Sequence, residues 1–385
     1  MALVVGLCGL PPALSADLDA SMKSVEKIRG LRFLGPVRTE AIERSELPKR
    51  LREQVATSMP YSPEEWEDVL RALFLVDEPV VPARQAQLFA QLIEVYESQV
   101  LAYYDPSVST YYSIRQPPPA MAGLPAGLNA EEGVIVHELV HALQDQHFAI
   151  GVKDRALRHD ADAAMAYHAL LEGEASLVMM AYMLEKGGAS FDEVVESPLF
   201  DGVLATAAGA EIPIGPTTPR YFAEMLKFPY LQGLRFVVHA YRRGGWKELD
   251  RVHRDPPEST REILHPEDYF ERRFSGTAFS SAPAAGVRQI LSVEHLGEFH
   301  WGFLAGAANA RGWIGDHVTI ALNSGCEPTV LVETRWESST AAQRFRDAYV
   351  DALDARGVGT YAAVDGGRVR VAYGNDLALA RRFVQ

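Results

Sequence analysis

The chain has 385 residues, 48% hydrophobic and 23% charged, which excludes a mainly disordered polypeptide and leaves room for two or three domains of ~100–200 residues. Lys+Arg number 37 against 51 Asp+Glu, a net charge of −14, and so acidic a surface argues against nucleic acid as a partner. Cys8 and Cys326 are the two cysteines, too few for a disulfide scaffold or a Cys-rich zinc module, and no apolar run approaches the ~18–20 residues of a membrane helix.

The apolar block Leu3 to Leu10, followed by Ala13-Leu14-Ser15-Ala16 before Asp17, reads as the end of a secretory signal peptide. No Lys or Arg precedes Lys23, so the basic start of such a segment is missing. Residues 1–16 are therefore expected to be a signal-peptide remnant, and the protein to be exported to the periplasm, cell surface or medium. Pro36 to Ile42 reads as a strand. Ser62-Pro63-Glu64-Glu65 combines an N-cap, a proline at the first helical position and acids in the first turn. It opens a helix with Trp66, Val69, Leu70, Leu73 and Phe74 on one face. A further helix is expected over 83–98. Val100 to Tyr104 and Thr110 to Ile114, around Asp105-Pro106-Ser107, form a β-hairpin.

The proline-rich stretch from Arg115 to Leu128 is a loop, and Asn129 caps a helix running to about Ala149. A second long helix is expected from about Asp160 to Glu185, ending at Gly187-Gly188. Helices continue from Arg220 to Tyr241, broken at Gly244-Gly245. After about 283 the pattern becomes strand, strand, helix, strand, strand, helix, with Val318–Leu322, Val330–Trp336, Thr340–Leu353 and a hairpin about Asp365-Gly366-Gly367. This divides the chain into 17–283 and a small α+β unit at 284–385.

The strongest chemical signal is His137-Glu138-Leu139-Val140-His141, an HExxH motif flanked by Val134, Ile135, Val136 and Leu143. With 11 His and 31 Glu, a chain of this length holds about 0.03 such motifs by chance. Two histidines four apart lie one turn apart on one face, so their imidazoles can converge on one Zn2+. Glu138, rotated ~100° from His137, is placed as general base for a zinc-activated water.

A catalytic zinc needs a third protein ligand. His147 has the metzincin spacing, but that geometry needs a glycine where this chain has Gln144. On a continuing helix His147 points ~240° away from His141. Glu172 and Glu174, in LLEGEAS on the next long helix, are ~200° apart, so only one can face the metal. Glu172 is the choice, with His168 one turn earlier read as supporting it or as surface.

With His137, Glu138, His141 and Glu172 in this order, the chain resembles the gluzincin branch of the zincin metallopeptidases. It is similar in particular to secreted bacterial and archaeal HExxH proteins of uncharacterised substrate. Their other recurring blocks are matched by Tyr104-Asp105-Pro106, by Tyr230-Leu231-Gln232-Gly233, and by Pro256-Pro257-Glu258-Ser259-Thr260 leading to His265-Pro266. The resemblance implies an α+β fold: a mainly helical zincin-like metallopeptidase domain with a small hairpin or edge sheet, then the C-terminal α+β unit. It implies a zinc-dependent peptidase acting on polypeptides, with the 100–114 hairpin as the edge along which substrate pairs. Tyr230 and His265 are then the candidate oxyanion donors. His265 would follow a turn fixed by a capping box of Ser259 and Glu262. Ser176 stands where many gluzincins have Asp, so the partner that orients a ligand histidine falls to Asp145 or Glu174. The alternatives are a zinc-binding recognition protein without turnover, or a zinc hydrolase whose substrate is not a peptide.

Four further features carry no chemistry in this reading. Tyr103, Tyr104, Tyr111 and Tyr112 are sheet packing, and Met179, Met180 and Met183 fill a core. Cys326 is an inert thiol. Trp313-Ile314-Gly315-Asp316 reads as a turn.

Overall fold

The computed structural model describes residues 18–76, 87–116, 130–209, 218–272, 289–293, 295–322 and 327–385. The signal-peptide segment, most of the 115–128 loop, the cap Asn129, residue 283 and Cys326 lie outside the described residues. The described residues are mainly helical with two small sheets, an α+β class. Among the described residues no helix is long and apolar enough to cross a membrane.

The N-terminal part runs α1 (Leu18–Arg29), β1 (Arg38–Ile42), α2 (Leu47–Ser58), α3 (Pro63–Ala72), α4 (Gln87–Gln99), β2 (Ala102–Asp105) and β3 (Thr110–Ile114). α3 starts where the sequence says. Ser62 accepts from the Glu65 backbone and Glu65 returns a bond to the Ser62 N–H, so two end donors are satisfied reciprocally. The hairpin β2–β3 forms as expected, and β1 adds in parallel on the far side of β3, so that β2 is an edge strand and β3 the central one. Alternation of side chains sends Tyr103 and Tyr112, stacked at 4.9 Å, into a small core with Leu47 and Ile93. Tyr104 and Tyr111 go into the main core on the other face. All four are buried, so the tyrosines are sheet packing.

The centre of the molecule is α5 (Ala130–Phe148), α6 (Ile150–Leu157), α7 (Ala161–Lys186), α8 (Phe191–Val195), α9 (Pro198–Gly209) and α10 (Arg220–Arg254), followed by α11 (Thr260–Leu264) and α12 (Pro266–Phe270). Asp160 caps α7 by accepting from Ala163 N–H at 2.9 Å. α10 is two helices joined at Gly244-Gly245, where Gly245 has φ 64°, a region that favours glycine. α7 and α10 pack backbone against backbone at Gly173 and Gly233. A Cβ on Gly233 would run into the Ala169 carbonyl, and one on Gly173 into Gly233 itself. The glycine of YLQG is therefore a helix-contact residue.

The C-terminal part holds β4 (Gln289–Val293), α13 (Gly297–Ala305), α14 (Ala307–Ala310), β5 (Trp313–Leu322), β6 (Pro328–Trp336), α15 (Ser339–Asp354), β7 (Thr360–Asp365), β8 (Arg368–Gly374) and α16 (Leu377–Val384). Its strands form an antiparallel sheet in the order β4-β5-β6-β8-β7. β4, α13 and α14 go beyond the sequence reading. Trp313 to Asp316 corrects it: this stretch begins β5, with a bulge between Trp313 and Gly315. Asp316 is buried, accepting from Leu296 N–H (2.8 Å), Gly297 N–H (3.0 Å), Trp301 Nε1 (2.8 Å) and Trp313 Nε1 (2.9 Å). A turn-like composition here serves an internal anchor.

The two parts share a core. Leu70, Leu73, Leu88 and Phe222 cluster with Trp301, Trp336, Phe345 and Tyr373. Buried polar links reinforce the junction: Arg261 donates to Asp268 at 2.9 Å and to the Trp313 carbonyl, and Tyr373 Oη donates to the Ala72 carbonyl at 3.1 Å. The change of architecture after α12 is thus not a break in the packing.

Candidate metal centre

From Gly133 to Gln144 every residue of α5 is buried, so this stretch is enclosed on all sides. Val134, Val136, Leu139, Val140 and Leu143 are buried. It runs without a break through Gln144 and stops after Phe148, where Ala149 takes a left-handed φ of 53°. α7 lies antiparallel beside it: Gly133 near the start of α5 faces Met179 and Met183, while Gln144 near its end bonds the Leu171 carbonyl.

This arrangement brings His137, His141 and Glu172 together in the interior. His137 Nε2 is 3.0 Å from Glu172 Oε2 and His141 Nε2 is 3.5 Å from the same oxygen. Two zinc bonds of about 2.0–2.1 Å at a tetrahedral angle separate their donor atoms by about 3.3–3.4 Å, so the spacing suits zinc. His141 Nε2, fully enclosed, has no hydrogen-bond partner, which is what a nitrogen reserved for a cation looks like. Electrostatics point the same way. Burial pulls His141 toward the neutral ring, but the Glu172 and Glu138 carboxylates outweigh it and lift its pKa to about 9. Burial would raise Glu172, yet His141 and His137 hold it well below the ordinary carboxylate range. The Glu172 and Glu138 carboxylates thus favour positive charge at this point of the interior.

Glu138 faces the same space. Its Oε2 accepts the Tyr104 N–H at 2.8 Å and its buried Oε1 has no partner. Burial raises its pKa to about 8, with the negative Glu172 adding to the effect. The free oxygen is that of an open acceptor rather than of a salt-bridged structural acid.

The group that orients His141 is Gln144, which sequence reasoning had treated only as a missing glycine. His141 Nδ1 donates to Gln144 Oε1 at 2.9 Å, fixing the tautomer that leaves Nε2 for a metal. Gln144 Nε2 in turn donates to Glu174 Oε2 at 2.7 Å. Glu174 is anchored by Arg29 of α1 and by His253 of α10, the latter at 2.6 Å. Burial would raise its pKa, but the Arg29 guanidinium and the contact with His253 hold it well below the usual range. Glu174 thus supports the centre at one remove. Asp145 accepts instead from Tyr104 Oη at 2.9 Å.

His147 is turned outward, its Nε2 2.8 Å from the Arg32 carbonyl, because α5 continues as a helix where a metzincin chain would turn. His168 lies one turn before Glu172 and pairs with Asp154 at 2.6 Å. A cavity of about 220 Å³ lies against Glu172, walled by Trp66, Tyr96, Met165, His168, Pro229 and Tyr230. Tyr230 therefore stands beside the centre, its ring 6.3 Å from that of His137.

His265 does not join this wall. It pairs with Glu298 at 2.7 Å in the α11–α12 corner against α13, so it is not placed to donate to a group at the centre. The capping box before it is also displaced: Ser259 Oγ accepts from Arg261 N–H at 3.0 Å, and Glu262 reaches the Glu258 N–H at 2.8 Å. Thr260 binds the buried Asp162 of α7 instead, which makes the PPEST block a clamp between α7 and the C-terminal part. β2, expected to receive substrate along its edge, is closed there, since Tyr103 and Tyr104 are 1% and 2% exposed and the Tyr104 N–H is committed to Glu138.

Comparison with known proteins bears on the C-terminal part alone. Residues 280–383 match a family described as a domain of unknown function, DUF8575. No curated protein and no solved structure matches the chain.

Proposed function

We propose that the protein is a zinc-dependent peptidase with a gluzincin-type centre in a zincin-like domain. The observation that carries this reading is the buried convergence of His137, His141 and Glu172 at ligand spacing, with the unpartnered Glu138 oxygen beside them and a cavity against Glu172. The three side chains would hold Zn2+, which when bound polarises a carbonyl and acidifies water. Glu138, held by the Tyr104 N–H, orients a water molecule and takes its proton. Tyr230 on the cavity wall is the candidate donor to the developing oxyanion, and His265 drops out of that role. Gln144, anchored through Glu174, keeps the His141 ring and its tautomer fixed.

The test is zinc content and casein turnover of wild type, Glu172→Ala, His147→Ala and Glu138→Gln. Expected is about one zinc per chain, lost with Glu172→Ala and kept in the other two. Turnover should fall ~10²–10⁴-fold in Glu138→Gln with zinc unchanged. No zinc in wild type supplied with the metal would sink the proposal. Zinc without turnover of any peptide or ester would favour the recognition protein, and turnover of esters alone a different hydrolase.

A further inference from the structure

The cavity against Glu172 has a neighbour. A second, of about 200 Å³, shares Ser58, Met59, Trp66 and Arg158 with it, so the two meet along the end of α2, the Trp66 ring of α3 and the residue that follows α6. Both are open to solvent on one side, and Arg158 on their common rim is exposed. Trp66 is held at the boundary by stacking on Phe222 of α10 at 5.8 Å and by an edge contact with Phe89 of α4 at 6.4 Å.

The walls of the second cavity come from distant parts of the chain. α3 gives Val69, Leu70 and Leu73, the start of α7 gives Ala161, and the C-terminal part gives Leu296 and His300. Leu296 is fixed from behind, since its N–H is one of the four donors on Asp316. The polar groups of this wall are spent on one another. Tyr221 Oη donates to His300 Nε2 at 3.0 Å, and His300 Nδ1 donates to the Leu296 carbonyl at 2.5 Å. Burial keeps the His300 ring neutral, with its pKa pushed down to about 4. At the boundary Ser58 Oγ donates to the Val55 carbonyl at 2.8 Å. What such a wall gains from a ligand is buried apolar surface. Each volume falls below the ~300–1,000 Å³ of a site for a whole small molecule and suits one large side chain.

We infer that the two cavities are successive side-chain compartments of one peptide cleft, the second walled in part by the C-terminal part of the chain. The cleft selects a segment by two apolar side chains, one beside the metal centre and one beyond Trp66. An extended peptide sends residues i and i+2 to the same face, so the two side chains are two residues apart. That the ligand is a peptide rests on the proposed function. Ala161 and Leu296 are then specificity-determining residues, and the Asp316 anchor holds one of them in place.

Fluorescence anisotropy of labelled alanine–serine octapeptides tests this on the full Glu138→Gln chain supplied with zinc, which binds without turnover. A peptide with one leucine should bind more tightly than one with none. A second leucine two residues away should add about tenfold or more, and one at the adjacent position, on the opposite face, should add little. Ala161→Met, which lengthens a half-buried side chain on the wall, should cancel the gain from the second leucine and leave the one-leucine peptide unaffected. Leu296→Ala should shift the preference at the second position from leucine to phenylalanine. Zinc content and one-leucine affinity report that each variant is folded. The inference is overturned if the second leucine adds nothing, if its gain survives Ala161→Met, or if Leu296→Ala changes all peptides alike. Cleavage is read separately in wild type. The binding pattern without hydrolysis of any of these peptides removes the peptidase and keeps the cleft, and hydrolysis without the second-leucine gain does the reverse.

Discussion

The molecule contains two buried carboxylates whose surroundings could hardly differ more. Asp316, at the start of β5, collects four N–H donors, two of them indole groups, and satisfies its neighbours with nothing left over. Glu172, on α7, faces two imidazoles, leaves His141 Nε2 without a hydrogen bond, and has the half-satisfied Glu138 nearby. One cluster sits inside a packed junction and the other against a cavity. A saturated polar cluster anchors the fold, whereas an unsaturated one opposite a cavity is poised for a ligand, because a buried unpaired polar atom costs free energy that only an incoming partner restores.

If that contrast holds, stability should follow the first cluster and metal affinity the second. Asp316→Ala strands four buried donors and should lower unfolding free energy by about 3–5 kcal/mol in urea titration, the largest effect expected here, while the folded fraction keeps its zinc stoichiometry. Loss of zinc in that variant with little loss of stability would break the distinction. Gln144→Leu should weaken zinc ~10–100-fold by competition with a chelating dye, and lower the metal-free unfolding free energy by less than Asp316→Ala does, because it strands His141 Nδ1 and one bond to Glu174 rather than four donors. The smallest effect is at His295, beside Asp316. The hydrogen bond to Asp160 raises its pKa from 6.5 to about 9. Because the folded value is the higher, this stabilisation is fully present below about pH 6.5 and is lost as pH rises through about 9. His295→Gln should flatten the decline of melting temperature between those values, and an unchanged slope would remove His295 from the account.

How much of this was legible beforehand differs by feature. The two long helices, the α3 cap and the hairpin follow from periodicity and end signals, which act locally. That only one of Glu172 and Glu174 can face the metal followed from helical angle, and the structure sends the two side chains to opposite partners, the histidines for Glu172 and Arg29 with His253 for Glu174. Gln144 was visible as a departure from the metzincin pattern, but its bond to His141 needs only the i, i+3 neighbourhood of a helix and could have been read from the sequence. His265 was misplaced because the partner that captures its ring, Glu298, is 33 residues away on a helix the sequence pattern did not announce. Asp316 looked like a turn for the same reason: its donors come from Leu296, Gly297, Trp301 and Trp313, and no local signal gathers them.

By itself, then, the sequence determined the long helices α5 and α7 and the placing of His137, Glu138 and His141 together on the first of them, since one turn of helix is enough to set that geometry. Tertiary structure decided which distant carboxylate meets those histidines, that Tyr104 of β2 holds Glu138, and that Arg29 and His253 from opposite ends of the domain converge on Glu174. These contacts depend on how α1, α5, α7 and α10 pack, and that packing is fixed by close approaches such as Gly173 on Gly233, which no local pattern encodes.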